Sequence, residues 1–198
     1  MVAVEATALI LLAAGASRRF GADDKLAADF YGRPLGLHVV AALADMPFRS
    51  RIVVVDKCRL DFAEHGYRVI HNGDAGSGMA GSIRLGVAQA KAEGAAAVLI
   101  VLADMPRVTA AHVARVFAAA EDGMVVASSD GVRPMPPALF GAGQFDALLA
   151  LDGDAGARAM IRAARHVVAD AAVLVDVDTV GDLARVVGAH PLSIACIQ

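Results

Sequence analysis

Thr7-Ala8-Leu9-Ile10-Leu11-Leu12-Ala13 runs straight into Ala14-Gly15-Ala16-Ser17-Arg18-Arg19-Phe20-Gly21 and, four residues on, Lys25. Apart from Thr7 the first seven residues are apolar without a break. Such a run reads as a strand buried on both faces, the kind found in a parallel sheet covered by crossover helices. The segment after it is built for a ligand. Its small residues let the backbone approach closely, and Gly15 and Gly21 permit unusual φ/ψ values. Successive N–H groups in such a turn form an anion nest. Arg18, Arg19 and Lys25 place positive charge where phosphates would lie. The spacing is neither G-x-x-x-x-G-K-[ST] nor G-x-G-x-x-G, so P-loop NTPases and nicotinamide dehydrogenases lose ground.

Outward from this stretch, short apolar runs alternate with helix-length segments. Pro34 is expected to open a helix to about Met46, since proline suits a first turn. Arg51–Asp56 and Tyr67–His71 read as strands, and Asn72–Gly78 as a loop. Met79–Glu93 carries Ile83, Gly86, Val87 and Ala90 at helical spacing. Ala95–Leu102 is the most apolar strand of the chain. Thr109 suits the N-cap of a helix to about Ala120. Met124–Ala127 reads as a strand, and Ser128–Pro137 as a break holding three prolines. Beyond it come a short strand near Ala138–Phe140 and helices around Gln144–Leu151 and Ala155–Ala164. Val173–Val177 reads as a last strand and Val180–Gly188 as a last helix. Strands alternating with helices predict one doubly wound α/β domain over residues 1–198, mostly parallel, with helices on both faces. Ligands of such sheets sit beyond the carboxyl ends of the strands. Three clusters fall there: Ala14–Lys25, Asn72–Ser82 and Asp104–Pro106.

The chain has 198 residues, enough to bury roughly 70% of its unfolded surface. Hydrophobic residues at 57% exclude a disordered chain, although 44 of the 198 residues are alanine and much of that hydrophobicity is small. The net charge of −3 and the lack of a basic stripe argue against nucleic acid as a partner. Cys58 and Cys196 lie outside any metal-binding spacing and read as free thiols in a reducing compartment. Glu5 precedes the apolar run and Arg18-Arg19 follow it, the wrong order for a secretory signal. There is no run long enough for a membrane span. These features together predict a cytoplasmic protein.

The ordering L-A-A-G-x-S-x-R-x-G-x(3)-K resembles the signature loop of nucleotidyltransferases that activate sugars and cofactors. It is most similar to the molybdenum cofactor cytidylyltransferase group within the MobA-like family. Gly76-Ser77-Gly78-Met79-Ala80-Gly81-Ser82 resembles that family's second nucleotide loop. Leu102-Ala103-Asp104-Met105-Pro106 resembles its L-G-D-M-P metal motif. Leu151–Arg158 resembles a G-D-x-G-A-R stretch near the second substrate. Asp176-Val177-Asp178-Thr179 with Gly181-Asp182-Leu183 resembles the closing D-x-D-T-P-E-D-L. The departures are Phe20 for Met, Ala103 for Gly, Val180-Gly181 for Pro-Glu, and Arg133–Pro137 in place of an R-G-x-P-V-like stretch.

The resemblance implies a Rossmann-like fold and transfer of CMP from CTP to molybdopterin, releasing pyrophosphate. It places Leu12, Ala13, Ala14, Gly15, Ser17, Gly21, Lys25, Gly78 and Ser82 around the nucleotide. Lys25 and Arg18 or Arg19 would stabilise phosphate charge. Asp104 and Asp178, with Asp176 in reserve, would hold Mg²⁺, which takes one or two carboxylates plus phosphate and water oxygens. Asp154 and Arg158 would face the acceptor. A xanthine dehydrogenase-type enzyme would be the client. Ala14 marks the cytidylyl branch, whereas Gly at that position marks the guanylyl one. His71 either touches the base or is a strand-end surface histidine. Transfer to a sugar or polyol phosphate, use of GTP, and a non-catalytic cofactor chaperone remain as alternatives.

Overall fold

Residues 2–14, 20, 24–121, 123–153 and 156–188 are described by the computed structural model. The strands are β1 (Thr7–Ala13), β2 (Asp29–Phe30), β3 (Arg33–Pro34), β4 (Ser50–Val55), β5 (Arg68–His71), β6 (Ala97–Leu102), β7 (Val125–Ser129), β8 (Pro134–Gly141) and β9 (Arg165–Val168). The helices are α1 (Leu37–Ala42), α2 (Gly78–Ala92), α3 (Ala110–Ala118), α4 (Phe145–Leu149), α5 (Arg158–Arg162) and α6 (Val180–Gly188). Seven strands join in the order β5-β4-β1-β6-β8-β7-β9, while β2 and β3 form a separate hairpin. All neighbours in the main sheet run parallel except where β8 meets β6 and β7. The expected doubly wound, mostly parallel sheet is the architecture found.

β1 lies inside the sheet between β4 and β6, and its alternation builds both halves of the core. Leu9, Leu11 and Ala13 pack with Val39 and Val40 of α1, with Leu43 just after it, and with Val113, Val116 and Phe117 of α3. Ala8, Ile10 and Leu12 pack with Ile83, Val87 and Ala90 of α2, Phe145 and Leu148 of α4 and Ile161 of α5. Period two on the strand and period 3.6 on the helices therefore meet on each face. A third, smaller cluster joins Phe30 and Leu35 to Val177 and Val186. It fastens the C-terminal segment to the β2–β3 hairpin, beside the carboxyl ends of β1 and β6.

Three local expectations are corrected. Pro34 does not open a helix; it pairs with Asp29 in the hairpin, and α1 starts at Leu37. Tyr31 (φ 51°) and Gly32 (φ 78°) make the two-residue turn, where both positions need positive φ. The proline-rich break is instead largely strand. Ser128 pairs with Met135 and Ala127 with Ala138, so Pro136 and Pro137 fall in the register shift between them, where no ladder donor is required. Val173–Val177 is not a strand. Val177 is buried in the third cluster rather than in the sheet, and β9 completes the sheet beside β7. β9 buries only Val167, so it lacks the apolar run that marks the interior strands.

A buried histidine on α3 has a pH consequence. Ser128 Oγ donates to the Pro137 carbonyl at 2.8 Å and lies 2.8 Å from His112 Nε2. A hydroxyl has one proton, so His112 Nε2 donates, and Nδ1 is the bare nitrogen, buried without a partner among the described residues. Burial, with the nearby Arg115 charge, holds the His112 pKa below 6.5. The unfolded chain thus binds a proton that the folded one refuses. Stability should fall as the pH is lowered from 6.5 toward the depressed value. Melting temperatures of wild type and His112→Gln between pH 7 and pH 5 check this, and the variant should show the shallower fall.

Candidate active site

β6 sets the position of Asp104. The parallel ladder with β1 ends at Leu12 opposite Leu102, and the Ala103 N–H then donates to the Leu12 carbonyl at 3.0 Å. Asp104 follows, just past the sheet edge. Lys25 begins a 3-10 turn capped by Asp24, whose carboxylate accepts from the N–H of Leu26 at 3.0 Å and of Arg59 at 2.8 Å. The Val177 N–H donates to the Asp104 carbonyl at 3.0 Å, which brings Asp178 alongside. A capping box steadies the next residues: Asp182 N–H donates to Thr179 Oγ1 at 3.0 Å, and Thr179 N–H donates to Asp182 Oδ2 at 2.8 Å. The Thr179 hydroxyl also donates to Asp182 Oδ2 at 2.8 Å, and this bond, with the N–H donors of Thr179 and Asp178, holds the Asp182 carboxyl below its ordinary pKa.

Lys25 Nζ donates to Asp104 Oδ2 at 2.7 Å and to Asp178 Oδ1 at 3.3 Å, although Lys25 is only 5% exposed. Burial opposes the ammonium charge, but the two carboxylates outweigh it and the Lys25 pKa is raised. Asp104 is also raised, chiefly by burial; Lys25 works against this, and the charges of Asp176 and Asp178 add to it. Asp104 Oδ1 is buried with no hydrogen-bond partner among the described residues. Among the described residues one ammonium lies beside three acidic groups, and one Asp104 oxygen has no hydrogen-bond partner. Oxygen donors of this kind suit a hard divalent cation. No group of three or more His, Cys, Asp or Glu side chains converges among the described residues, so such a cation would draw its remaining ligands from phosphate and water.

The second loop is a buttressed turn. Asn72, 8% exposed, donates through Nδ2 to Ser82 Oγ at 3.0 Å and to Ser77 Oγ at 3.3 Å. Ser77 Oγ donates in turn to the Asp74 carbonyl at 2.7 Å. Gly78, at φ 57° and ψ −155°, opens α2 in a conformation that favours glycine. Ser82 is 2% exposed, so its hydroxyl supports the loop from beneath. The Ala80 N–H donates to the Gly153 carbonyl at 3.3 Å, and Arg84 donates to the Leu151 carbonyl. The start of α2 therefore holds Leu151 and Gly153 against it.

The structure gathers Lys25, Asp104 and Asp178 at one point, with Asp176 near enough to act on Asp104 by its charge. Leu12 and Ala13 are buried at the end of β1, and Ala14 emerges partly exposed. Arg158 is exposed at the start of α5, and His71 is exposed at the end of β5. Gly15, Ser17, Arg18, Arg19, Gly21, Asp154 and Cys196 lie outside the described residues. Cys58 is a free thiol whose pKa burial pushes up to about 11, so it stays protonated and poorly nucleophilic at neutral pH. Asn72 and the Thr179–Asp182 pair are supporting residues, which the sequence places in a loop cluster and a closing motif without showing this role. The second had a signal, a T-x-x-D spacing before a helix. The first had only a polar residue at a strand end. Among the described residues no helix is long and apolar enough to cross a membrane.

Comparison with known proteins places these features in context. The MobA-like NTP transferase domain matches residues 9–170. The purine catabolism protein PucB of Bacillus subtilis (strain 168) is 31% identical over 166 residues, 77% of this chain and 79% of its own. The molybdenum cofactor guanylyltransferase of Shewanella sediminis (strain HAW-EB3) is 29% identical over 136 residues, 66% of each chain. Among solved structures, the Mycobacterium sp. strain JC1 homologue of Mycobacterium tuberculosis Rv0371c is similar with a TM-score of 0.79 and 26% identity, over 93% of this chain and 96% of that one. Rv0371c of strain H37Rv, solved in complex with manganese, has a TM-score of 0.74 at 21% identity over 93% and 99% of the two chains, a likeness of fold.

Proposed function

The chain belongs to the MobA-like NTP transferase family, and on that premise we propose that it transfers CMP from CTP to the terminal phosphate of a molybdopterin-type acceptor. The observation that carries the reading is the contact of the buried Lys25 ammonium with Asp104 and Asp178 at the carboxyl end of β1 and β6. In this proposal the backbone of Leu12–Gly15, with Ser17 and Gly21, wraps the triphosphate. Lys25 meets phosphate as a compact point charge. Arg18 or Arg19 meets the charge that grows on pyrophosphate as it leaves. Gly78 gives the ribose and base access to the loop backbone, and Ser82 holds that loop through Asn72. Asp154 and Arg158 face the acceptor, whose phosphate oxygen attacks the α-phosphorus.

Asp104 and Asp178 are the proposed holders of Mg²⁺ or Mn²⁺, with Asp176 in reserve. Asp104 Oδ1, without a hydrogen-bond partner among the described residues, supports this assignment, and the manganese in the Rv0371c complex supports a divalent cation as the kind of ion bound. When bound, the ion supplies charge neutralisation on the triphosphate.

The Shewanella relative supports a molybdenum cofactor acceptor, and its name also supports a second reading, guanylyl transfer. The name of the Bacillus relative places that protein in purine catabolism, a setting that suits a xanthine dehydrogenase-type client. Ala14 favours cytidine, since an added methyl at a loop touching the nucleotide leaves less room for the larger base. One methyl discriminates by about 1–3 kcal/mol, so Ala14→Gly should improve the GTP-to-CTP ratio by roughly ten- to a hundredfold. An unchanged ratio places the choice elsewhere.

The deciding experiment measures pyrophosphate release with CTP, GTP, ATP and UTP, each with and without molybdopterin and Mg²⁺. Release that needs CTP, acceptor and metal together is the expected result. Release with GTP alone favours the second reading, and acceptor-independence or no release overturns both.

A further inference from the structure

The same ammonium that would meet the triphosphate lies against the two carboxylates that would hold the cation. We propose that Lys25 is a resident counter-ion that keeps the cation's place until metal and nucleotide arrive together. This rests on the assignment of Asp104 and Asp178 as metal holders.

Three observations carry it. Lys25 Nζ is 2.7 Å from Asp104 Oδ2 and 3.3 Å from Asp178 Oδ1, which are contact distances for a cation shared by both acids. A divalent ion bound to these acids at about 2.0–2.1 Å would share the space with the ammonium, a like-charge contact in a partly desolvated site. The Lys25 side chain is only 6% exposed, so the ammonium is held in this place rather than waving in solvent.

The backbone does not need to move for Lys25 to leave. Asp24 caps the turn through Leu26 and Arg59, and the Ala28 N–H donates to the Lys25 carbonyl at 3.2 Å. The Cα is therefore fixed while four flexible side-chain bonds carry the charge. Without phosphate, departure would strand a buried ammonium, so Lys25 stays and the metal competes against it. With a nucleotide present, phosphate oxygens take the ammonium and the carboxylates are released. Metal and nucleotide should consequently bind with positive coupling, and metal alone should bind weakly.

The test is binding of Mn²⁺ to the nucleotide-free protein, read from the electron paramagnetic resonance signal of the free ion. The proteins are wild type, Lys25→Met, Lys25→Gln, and Asp104→Asn in both the wild-type and Lys25→Met backgrounds. Lys91→Met controls for loss of a charge elsewhere, since Lys91 pairs with exposed Asp146 at the surface. Lys25→Met and Lys25→Gln should each bind Mn²⁺ about tenfold tighter or more, the scale for removing a charge at contact distance. Asp104→Asn should erase the gain. If Lys25 variants bind no tighter than wild type while Asp104→Asn still weakens binding, the place-holding role is overturned and the metal assignment stands. A gain from Lys91→Met equal to that from Lys25→Met also overturns it. If Asp104→Asn changes nothing in either background, the metal assignment falls and the inference with it.

Discussion

Asp104→Asn is expected to lower nucleotidyl transfer by about a thousandfold, the upper range for loss of one electrostatic contact to a developing charge, while the melting temperature holds or rises. The two halves of this result have one cause. Asp104 sits past the end of the most apolar strand, and burial raises its pKa against the opposing pull of Lys25. A carboxylate whose pKa is higher folded than unfolded costs stability when ionised at neutral pH. Its folded form gains relative to the unfolded one as the pH falls through the raised value toward 3.8. Asparagine keeps the shape and removes that cost, while Lys25 retains Asp178 at 3.3 Å. Steady-state pyrophosphate release and a thermal melt on the same preparation check both halves. An Asp104→Asn enzyme with a tenth or more of wild-type turnover would falsify the assignment of Asp104.

Gly81→Ala carries the other large expected effect, this time on the fold of the second loop. A Cβ at Gly81 would stand 1.9 Å from Ser77 Oγ and 2.3 Å from Ser77 Cβ. Rotating the hydroxyl away does not relieve the second contact, so the backbone at Ser77 must shift. That shift breaks the bonds of Ser77 to the Asp74 carbonyl and to Asn72. Overpacking of this kind costs about 1–3 kcal/mol. For a chain of this length, each kcal/mol lowers the melting temperature by about 2–4 °C. Nucleotide binding should weaken as well, because Gly78 and the start of α2 move with Ser77. Melting curves with and without CTP and Mg²⁺ check it. A Gly81→Ala protein that melts with the wild type and gains as much from nucleotide would show that the loop tolerates the shift.

How much of this was legible beforehand follows from which signals are local. The TALILLA run, the 3.6-residue spacing of α2 and the Thr109 cap are properties of neighbouring residues, and each led to an element that the structure contains. Pro34 misled because its partner in the hairpin turns at Tyr31, a residue that seldom adopts positive φ. Val173–Val177 misled because its apolar pattern reports burial without strand pairing: Leu174 packs into the first core cluster, and Val177 packs against Phe30 and Val186. β9 went unseen because a strand at the sheet edge with one buried residue carries little hydrophobic pattern.

The site divides the same way. Asp104, Lys25 and Asp178 were each legible as motif members, because a carboxylate after an apolar strand and a lysine after a glycine-bearing loop are readable in place. Their meeting was not legible. Lys25 lies 79 residues from Asp104 and 153 from Asp178. Nothing within either interval specifies a 2.7 Å contact. The interior strands, the apolar faces and the candidate chemistry belong to the linear chain, since they depend on periodicity and residue type. The shared ammonium, the buried Asp104 carboxylate beside it and the serine pair beneath the second loop belong to the folded molecule. They arise only when packing removes water and sets distant polar groups against one another.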